Sequence, residues 1–150
     1  MAMRNSGFRR IVVGLDGSES SAAALKWAVR IAKGMGSQVI AVYAIDIPTY
    51  FPQPYGIPLQ YDEEWHAAMK SEFENKWCKP LKVSAVRYRT VMEDGRAASV
   101  IAAVADRENA DVIVVGRRGR GGVAELLLGS ASHELVLHSK RPVLVISPKT

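Results

Sequence analysis

A glycine-rich stretch directly after a buried strand limits this chain to a small set of folds. Residues 111–115, DVIVV, end in four consecutive branched apolar residues without the alternation of a half-exposed strand, which predicts a central parallel strand covered on both faces. Glycine then occupies positions 116, 119, 121 and 122. Because glycine has no Cβ and tolerates positive φ angles, such a loop can bring its backbone within hydrogen-bonding distance of a ligand.

The loop leads into a predicted helix from about Ser130 to Ser139. Ser130 suits the N-cap position, and the first turn, with Ala131, presents free N–H groups and the positive end of the helix dipole. One helix terminus contributes ~0.3 to 1 kcal/mol toward an anion, whereas each charge-assisted hydrogen bond contributes about 1.5 to 3 kcal/mol. Three or four such bonds, less the entropy of association, give about micromolar binding. The stretch therefore predicts a phosphate site.

The basic residues of the chain raise the question of nucleic-acid binding. The net formal charge is +5, and a basic surface attracts any polyanion. The charges are scattered, however, and only Arg117, Arg118 and Arg120 form a tight cluster, inside the glycine loop, where the phosphates of a nucleotide would also attract them. The chain lacks the aromatic stacking pattern of an RNA-recognition sheet, so nucleic acid is not an expected partner.

Strand and helix patterns alternate along the rest of the chain. Residues 11–15 form a second buried apolar run, residues 18–21 open a helix that glycines end at 34 and 36, and residues 39–45 form the next strand. These three elements make a βαβ unit.

Six further elements complete the predicted order βαβαβαβαβ, and three of them precede the strand that feeds the glycine loop. Large apolar side chains at every fourth position predict a helix that ends near Pro80, with a stripe interpreted as core at Trp65, Met69, Phe73 and Trp77. An exposed edge strand over residues 83–92 and a helix over residues 97–105 precede the strand that feeds the loop. The pattern predicts a five-stranded parallel α/β sandwich, Rossmann-like, with helices on both faces of the sheet.

Asp16 stands at the end of the first predicted strand. Ligands of open parallel sheets bind beyond the carboxyl ends of the strands, where the strand order reverses, so this carboxylate is expected to face the glycine loop. A carboxylate repels phosphates unless a divalent cation lies between them, and Mg²⁺ suits a site with few carboxylates and several phosphate oxygens. Asp16 is therefore a candidate Mg²⁺ contact. An Asx turn with Gly17 is the alternative interpretation.

The length of 150 residues predicts a single domain, residues 1–150. The longest apolar run, residues 39–45, is far shorter than a membrane span, and the first seven residues lack the apolar centre of a signal peptide. Cys78 is the single cysteine, which excludes an intrachain disulfide and fits a reducing compartment. We expect a cytoplasmic protein without a membrane partner.

The glycines of the loop also match a family pattern. Gly116-x2-Gly119-x9-Gly129-Ser130, between a buried strand and a helix, resembles the nucleotide-binding motif of the universal stress protein family. Glycines also form ordinary turns, and without the family pattern the loop would be interpreted as one. With the pattern, an ATP site is the expectation.

Two more segments carry the resemblance, which covers nearly the whole chain. Residues 11–18, IVVGLDGS, resemble the family's first strand and turn, and residues 140–146, KRPVLVI, resemble its closing strand. Residues 95–97 depart from it, because they read Gly-Arg-Ala where the family has Gly-x-Pro at a helix start.

The resemblance implies a strand order of 3-2-1-4-5 and assigns roles to single residues. The backbone after the second strand, at Ala44 and its neighbour Ile45, would meet adenine, and Asp16 would lie on the ribose or metal side. The phosphates would be held by Gly116, Gly119, Gly129, Ser130 and Ser132. Family members commonly dimerise through their fifth strands, here Val143, Leu144, Val145 and Ile146. An exposed apolar edge strand gives the same pairing a physical reason.

The expected function is ATP binding, with Mg²⁺, in a regulatory or sensing module of the stress response. Loop arginines can neutralise transition-state charge, but no residue is identified that would position an attacking water, so binding is favoured over turnover. P-loop, dinucleotide and nucleophile-elbow motifs are absent. Slow ATP hydrolysis and cyclic-nucleotide binding stay open. A nucleotide-free dimeric scaffold acting through the proline-rich aromatic loop at residues 48–58 is the other alternative.

Overall fold

Five parallel strands form the central layer of the molecule, in the order β3-β2-β1-β4-β5. The computed structural model describes residues 7–46, 63–119 and 128–148. The strands are β1 (Arg10–Gly14), β2 (Gln38–Ile45), β3 (Tyr88–Asp94), β4 (Val112–Gly116) and β5 (Val143–Ile146). The helices are α1 (Glu19–Met35), α2 (Glu63–Glu72), α3 (Lys79–Lys82), α4 (Ala97–Arg107) and α5 (Ser130–His138), with a π-helical segment, Phe73–Trp77, after α2. The predicted fold and strand order are confirmed.

Each face of the sheet packs against its own helices. Strand side chains alternate between the faces, so Ile11 and Val13 of β1 belong to the core under α1, whereas Val12 belongs to the other core. That second core is completed by Ile101 of α4 and Leu135 of α5. Because β1 and β4 are covered on both faces, they read as unbroken apolar runs in the sequence.

The ends of α1 lie where the sequence predicts them. Ser18 is the N-cap, and its Oγ accepts a hydrogen bond from the Ser21 N–H at 3.1 Å. Gly36 is the C-cap, with a φ of 70° that glycine adopts at low cost. The helix therefore starts directly after the carboxyl end of β1, where Asp16 lies.

The aromatic stripe after β2 is less buried than predicted. Phe73 is fully buried, whereas Trp65, Met69 and Trp77 stay partly exposed. The i→i+5 hydrogen bonds of the π-helical segment change the rotation per residue, so residues before and after it do not continue one face. The ring of Trp77 lies 4.9 Å from that of Tyr43, edge to face, at the border of the core.

Two boundaries also differ from the prediction. Pro80 does not end the helical region, because it lies in the first turn of α3, where proline is tolerated. The edge strand β3 begins at Tyr88, later than residue 83. Within the described residues, no helix is long and apolar enough to cross a membrane. The aromatic loop at residues 48–58 and positions 120–122 of the glycine stretch lie outside the described residues.

Candidate functional site

A cavity opens at the carboxyl ends of β1, β2 and β4. β2 and β3 lie on one side of β1 and β4 and β5 lie on the other, so the strand order reverses here, which is where open parallel sheets bind ligands. The cavity volume is about 410 Å³. Small-molecule sites have volumes of roughly 300 to 1,000 Å³, so a nucleotide-sized ligand fits this range.

The structure brings nine of the ten predicted site residues together around this cavity. Arg117 is the exception, because it is not among the described residues that line the cavity. The residues that do line it are Asp16, Ala44, Gly116, Arg118, Gly119, Gly129, Ser130, Ala131 and Ser132.

The two described sides of the glycine loop are joined to each other by hydrogen bonds. The Gly129 N–H donates to the Arg117 carbonyl at 2.7 Å. The Ser132 Oγ lies 3.0 Å from both the Arg117 and the Gly129 carbonyl oxygens, and its residue is only 3% exposed. The single hydroxyl proton of Ser132 is therefore donated to main-chain carbonyl oxygens. An anion would meet Ser132 at its backbone N–H.

Two glycines allow close approaches within the protein itself. A Cβ on Gly116 would lie 2.5 Å from the carbonyl carbon of Ser20, in the first turn of α1. A Cβ on Gly119 would lie 2.6 Å from Oδ2 of Asp16. Both distances are far below van der Waals contact, so a larger residue at either position displaces a neighbour. Glycine at these positions sets the shape of the cavity wall.

The helix after the loop starts one residue earlier than predicted. Gly129, with φ −66° and ψ 164°, is the N-cap of α5, and Ser130 is the first helical residue instead of the cap. The first intrahelical bond of α5 runs from the His133 N–H to the Gly129 carbonyl at 2.9 Å. The amides of Ser130, Ala131 and Ser132 precede that bond and line the cavity, so they can donate to an anion.

Asp16 combines the two arrangements expected for it. Its Oδ1 accepts a hydrogen bond from the Ser18 N–H at 2.9 Å, which is the geometry of an Asx turn. Its other oxygen, Oδ2, lies beside Gly119, so the carboxylate also faces the loop. Within the described residues, no cluster of three or more His, Cys, Asp or Glu side chains could hold a metal ion. A Mg²⁺ ion here would depend on phosphate oxygens and water for most of its ligands.

The arginine side chains of the loop have buried donors. None of the described residues gives Nε of Arg117 or Nε of Arg118 a hydrogen-bond partner, although both atoms are buried. Buried polar atoms in native proteins are nearly always paired, so these two donors are available to a partner other than the described residues. Arg118 lines the cavity and therefore supplies positive charge to an anion there.

The sequence prediction missed three polar residues of this region. Asp46 follows β2 and lines the cavity, and the rule that selected Asp16 at a strand end would also have selected it. Ser21 lines the cavity, and its Oγ accepts from the Asp16 N–H at 3.3 Å. Ser20 is buried, and its Oγ accepts from the Arg118 N–H at 3.2 Å. In the sequence, Ser20 and Ser21 were interpreted only as residues at the start of a helix.

The departure at residues 95–97 reaches the cavity wall. Arg96 is the N-cap of α4, and Ala97 is the first residue of that helix. Ala97 also lines the cavity. Ala97 therefore forms part of one wall of the cavity.

The comparison with protein families decides the identity of the fold. The model of the universal stress protein family matches residues 7–147. The chain belongs to the universal stress protein family. The match includes every strand of the sheet and every described residue of the cavity.

Individual relatives agree with this assignment. The universal stress protein MJ0531 of Methanocaldococcus jannaschii is 32% identical over 143 residues, which cover 93% of this chain and 82% of that protein. UspA of Lactobacillus plantarum shares the fold, with a TM-score of 0.81 at 24% identity over 94% of this chain and 99% of the other. A universal stress protein crystallised in complex with cAMP has a TM-score of 0.71 and 26% identity, covering 96% of this chain and all of the other (100%).

Proposed function

We propose that this universal stress protein binds ATP in the cavity at the carboxyl edge of the sheet and acts as a regulatory or sensing module of the stress response in the cytoplasm. The observation that carries the proposal is the meeting of three anion-binding features in one cavity of about 410 Å³. These features are the glycine loop, the first turn of α5 and the side chain of Arg118.

The phosphates are placed against the loop and the start of α5. Three α5 amides, those of Ser130, Ala131 and Ser132, can each donate to a phosphate oxygen without losing an intrahelical bond. Charge-assisted bonds of this kind contribute about 1.5 to 3 kcal/mol each, whereas the helix dipole adds only ~0.3 to 1 kcal/mol. The guanidinium of Arg118, whose Nε has no described partner, adds a further charged donor.

We place the base and the ribose beside the carboxyl ends of β1 and β2. Ala44, on β2, is half-buried, and its small side chain leaves room for a flat purine. Asp16 and Asp46 lie at neighbouring strand ends, so their carboxylates can accept hydrogen bonds from ribose hydroxyls. Asp16 is also the candidate Mg²⁺ contact, and the ion would neutralise its repulsion of the phosphates.

Calorimetric titration of ATP in the presence of Mg²⁺ tests this proposal. We expect Gly119→Val to weaken ATP binding strongly, because a side chain at this position displaces the Asp16 carboxylate and narrows the loop. The matched control is Gly34→Ala, since an added Cβ at Gly34 meets nothing within 4 Å. Equal ATP affinity of wild type and Gly119→Val would reject the assignment of the loop.

Cyclic nucleotide is the second candidate ligand. The relative crystallised in complex with cAMP is similar over 96% of this chain, and both ligands share adenine, ribose and a phosphate. Thermal shifts with ATP, AMP and cAMP rank the candidates, because a ligand that binds the folded state raises its stability. A larger shift with cAMP than with ATP at equal concentration would replace ATP as the proposed ligand.

We also propose that two copies pair through their β5 strands, Val143, Leu144, Val145 and Ile146. β5 is an edge strand of the sheet, and Leu144 is 36% exposed on it. An exposed apolar edge offers unpaired backbone groups and apolar surface to a second strand. A nucleotide-independent scaffold remains the rival function. Mass spectrometry of the purified protein for co-purified nucleotide separates it from the ATP proposal.

A further inference from the structure

One peptide group of the glycine loop is held at both ends. The carbonyl of Arg117 accepts hydrogen bonds from the Gly129 N–H at 2.7 Å and from the Ser132 Oγ at 3.0 Å. The N–H of the same peptide group, which belongs to Arg118, donates to the Ser20 Oγ at 3.2 Å. Rotation of this peptide plane would therefore break three hydrogen bonds together.

Ser20 reaches the loop because α1 packs closely against the end of β4. A Cβ on Gly116 would lie 2.5 Å from the Ser20 carbonyl carbon and 2.7 Å from the Ser20 Oγ, so glycine is required for this approach. Ser20 is only 6% exposed. Water competes poorly for a hydrogen bond in so buried a position, which makes the bond to the Arg118 amide a persistent constraint.

The direction of this peptide group affects any anion in the cavity. A carbonyl oxygen that faced an anion would repel it, and here the Arg117 carbonyl is directed to the Gly129 amide instead. The next residues, Arg118 and Gly119, both line the cavity. The orientation of this peptide group therefore determines the positions of the Arg118 side chain and the Gly119 backbone.

We propose that Ser20 is a positioning residue of the nucleotide site. By accepting the Arg118 N–H, its hydroxyl fixes the Arg117–Arg118 peptide group and thereby positions the Arg118 side chain and the Gly119 backbone for phosphate. Ser20 does not contact the ligand; it acts through the loop. The role in binding rests on the proposed nucleotide function, whereas the hydrogen bond by which Ser20 fixes the peptide group is a property of the protein alone.

Amide hydrogen exchange, followed by NMR in the protein without ligand, tests the hold on the peptide group. Ser20→Ala should raise the exchange rate of the Arg118 amide by about tenfold, the change expected for one lost hydrogen bond. The matched control is Ser37→Ala, which removes another buried serine whose Oγ donates to the Phe8 carbonyl at 2.6 Å, at the start of β2 and at the opposite edge of the sheet. This control should leave the Arg118 amide unchanged.

Calorimetry with two probes tests the role in binding. Ser20→Ala should weaken ATP binding by roughly three- to tenfold and leave the affinity for adenosine unchanged, because the loop contacts only the phosphates. Ser37→Ala should bind both probes like the wild type. A general loss of stability would instead weaken the binding of ATP and of adenosine together. Ser20→Cys, which retains the side chain but has a weaker acceptor, should lie between wild type and Ser20→Ala.

The outcomes separate this inference from the proposed function. An unchanged Arg118 exchange rate in Ser20→Ala overturns the hold on the peptide group. Faster exchange with unchanged ATP affinity overturns the positioning role. If the wild type binds neither ATP nor adenosine, the proposed function and the role in binding both fail, and the exchange rates still decide whether Ser20 holds the peptide.

Discussion

Replacement of Gly116 by alanine tests the packing on which the cavity depends. The added Cβ would lie 2.5 Å from the carbonyl carbon and 2.6 Å from the carbonyl oxygen of Ser20. Carbon atoms in contact normally lie about 3.5 to 4.0 Å apart, so roughly 1 Å of displacement is needed. The obstructing atoms are backbone of α1, which cannot rotate away as a side chain can. The start of α1 or the end of β4 therefore has to move.

Overpacking of this kind costs about 1 to 3 kcal/mol. For a chain of 150 residues, a loss of 1 kcal/mol lowers the melting temperature by about 2 to 4 °C. We therefore expect Gly116→Ala to lower the free energy of unfolding by about 1 to 3 kcal/mol and the melting temperature by ~2 to 12 °C. Urea unfolding followed by circular dichroism measures the first value, and a thermal scan measures the second.

Gly34→Ala is the matched control for the same chemical change. Gly34 lies in the last turn of α1 with open space around its Cα, and alanine there should raise stability by up to about 0.5 to 1 kcal/mol. The two glycine-to-alanine substitutions should thus have opposite signs. A Gly116→Ala protein as stable as the wild type would refute the close packing of α1 against β4.

Three further predictions concern α1, Cys78 and β5. Ser18→Ala removes the N-cap bond to the Ser21 N–H and should lower the free energy of unfolding by about 1 kcal/mol in urea; no loss would contradict the cap. Burial, with the nearby Glu74 carboxylate, raises the pKa of Cys78 from 9.0 to about 12. The neutral thiol therefore contributes its full stabilisation of the fold below pH 9.0, and this contribution is lost as the pH rises toward 12. The urea midpoint of the wild type should fall more steeply between pH 9 and 12 than that of Cys78→Ala. Parallel plots of midpoint against pH would contradict the raised pKa of Cys78. Leu144→Lys should convert the proposed β5 dimer to monomer in sedimentation, whereas Val83→Lys, at a position 76% exposed, should not. A Leu144→Lys dimer would exclude β5 as the interface.

Much of the fold could be predicted because each central strand carries its own signal. β1 and β4 are buried on both faces, so they consist of apolar residues with no alternation. The limits of α1 are also local, since Ser18 and Gly36 cap it with their own conformations. The π-helical segment after α2 had no comparable signal, and the stripe from Trp65 to Trp77 was therefore assigned more completely to the core than it is.

Nine of the ten residues predicted for the site line the cavity, whereas the contacts among them could not be predicted. Asp16 and Gly119 were both expected at the carboxyl edge, because parallel strands end at the same edge of a sheet. The sequence does not reveal that Gly119 adjoins the Asp16 carboxylate, or that the Ser132 hydroxyl serves the Arg117 carbonyl. Such contacts depend on how the loop folds back on itself.

The sequence alone determined the alternation of buried strands and helices and the glycine loop, and it predicted where the candidate site lies, because these depend on periodicity and on residue types within short segments. Only the tertiary structure decided that Ser20 holds the Arg118 amide across 98 positions of sequence and that Gly116 is needed for this approach. The physical reason is that a long-range contact is set by how α1 packs against β4. Packing depends on the shape of both surfaces together, and neither segment carries that information by itself.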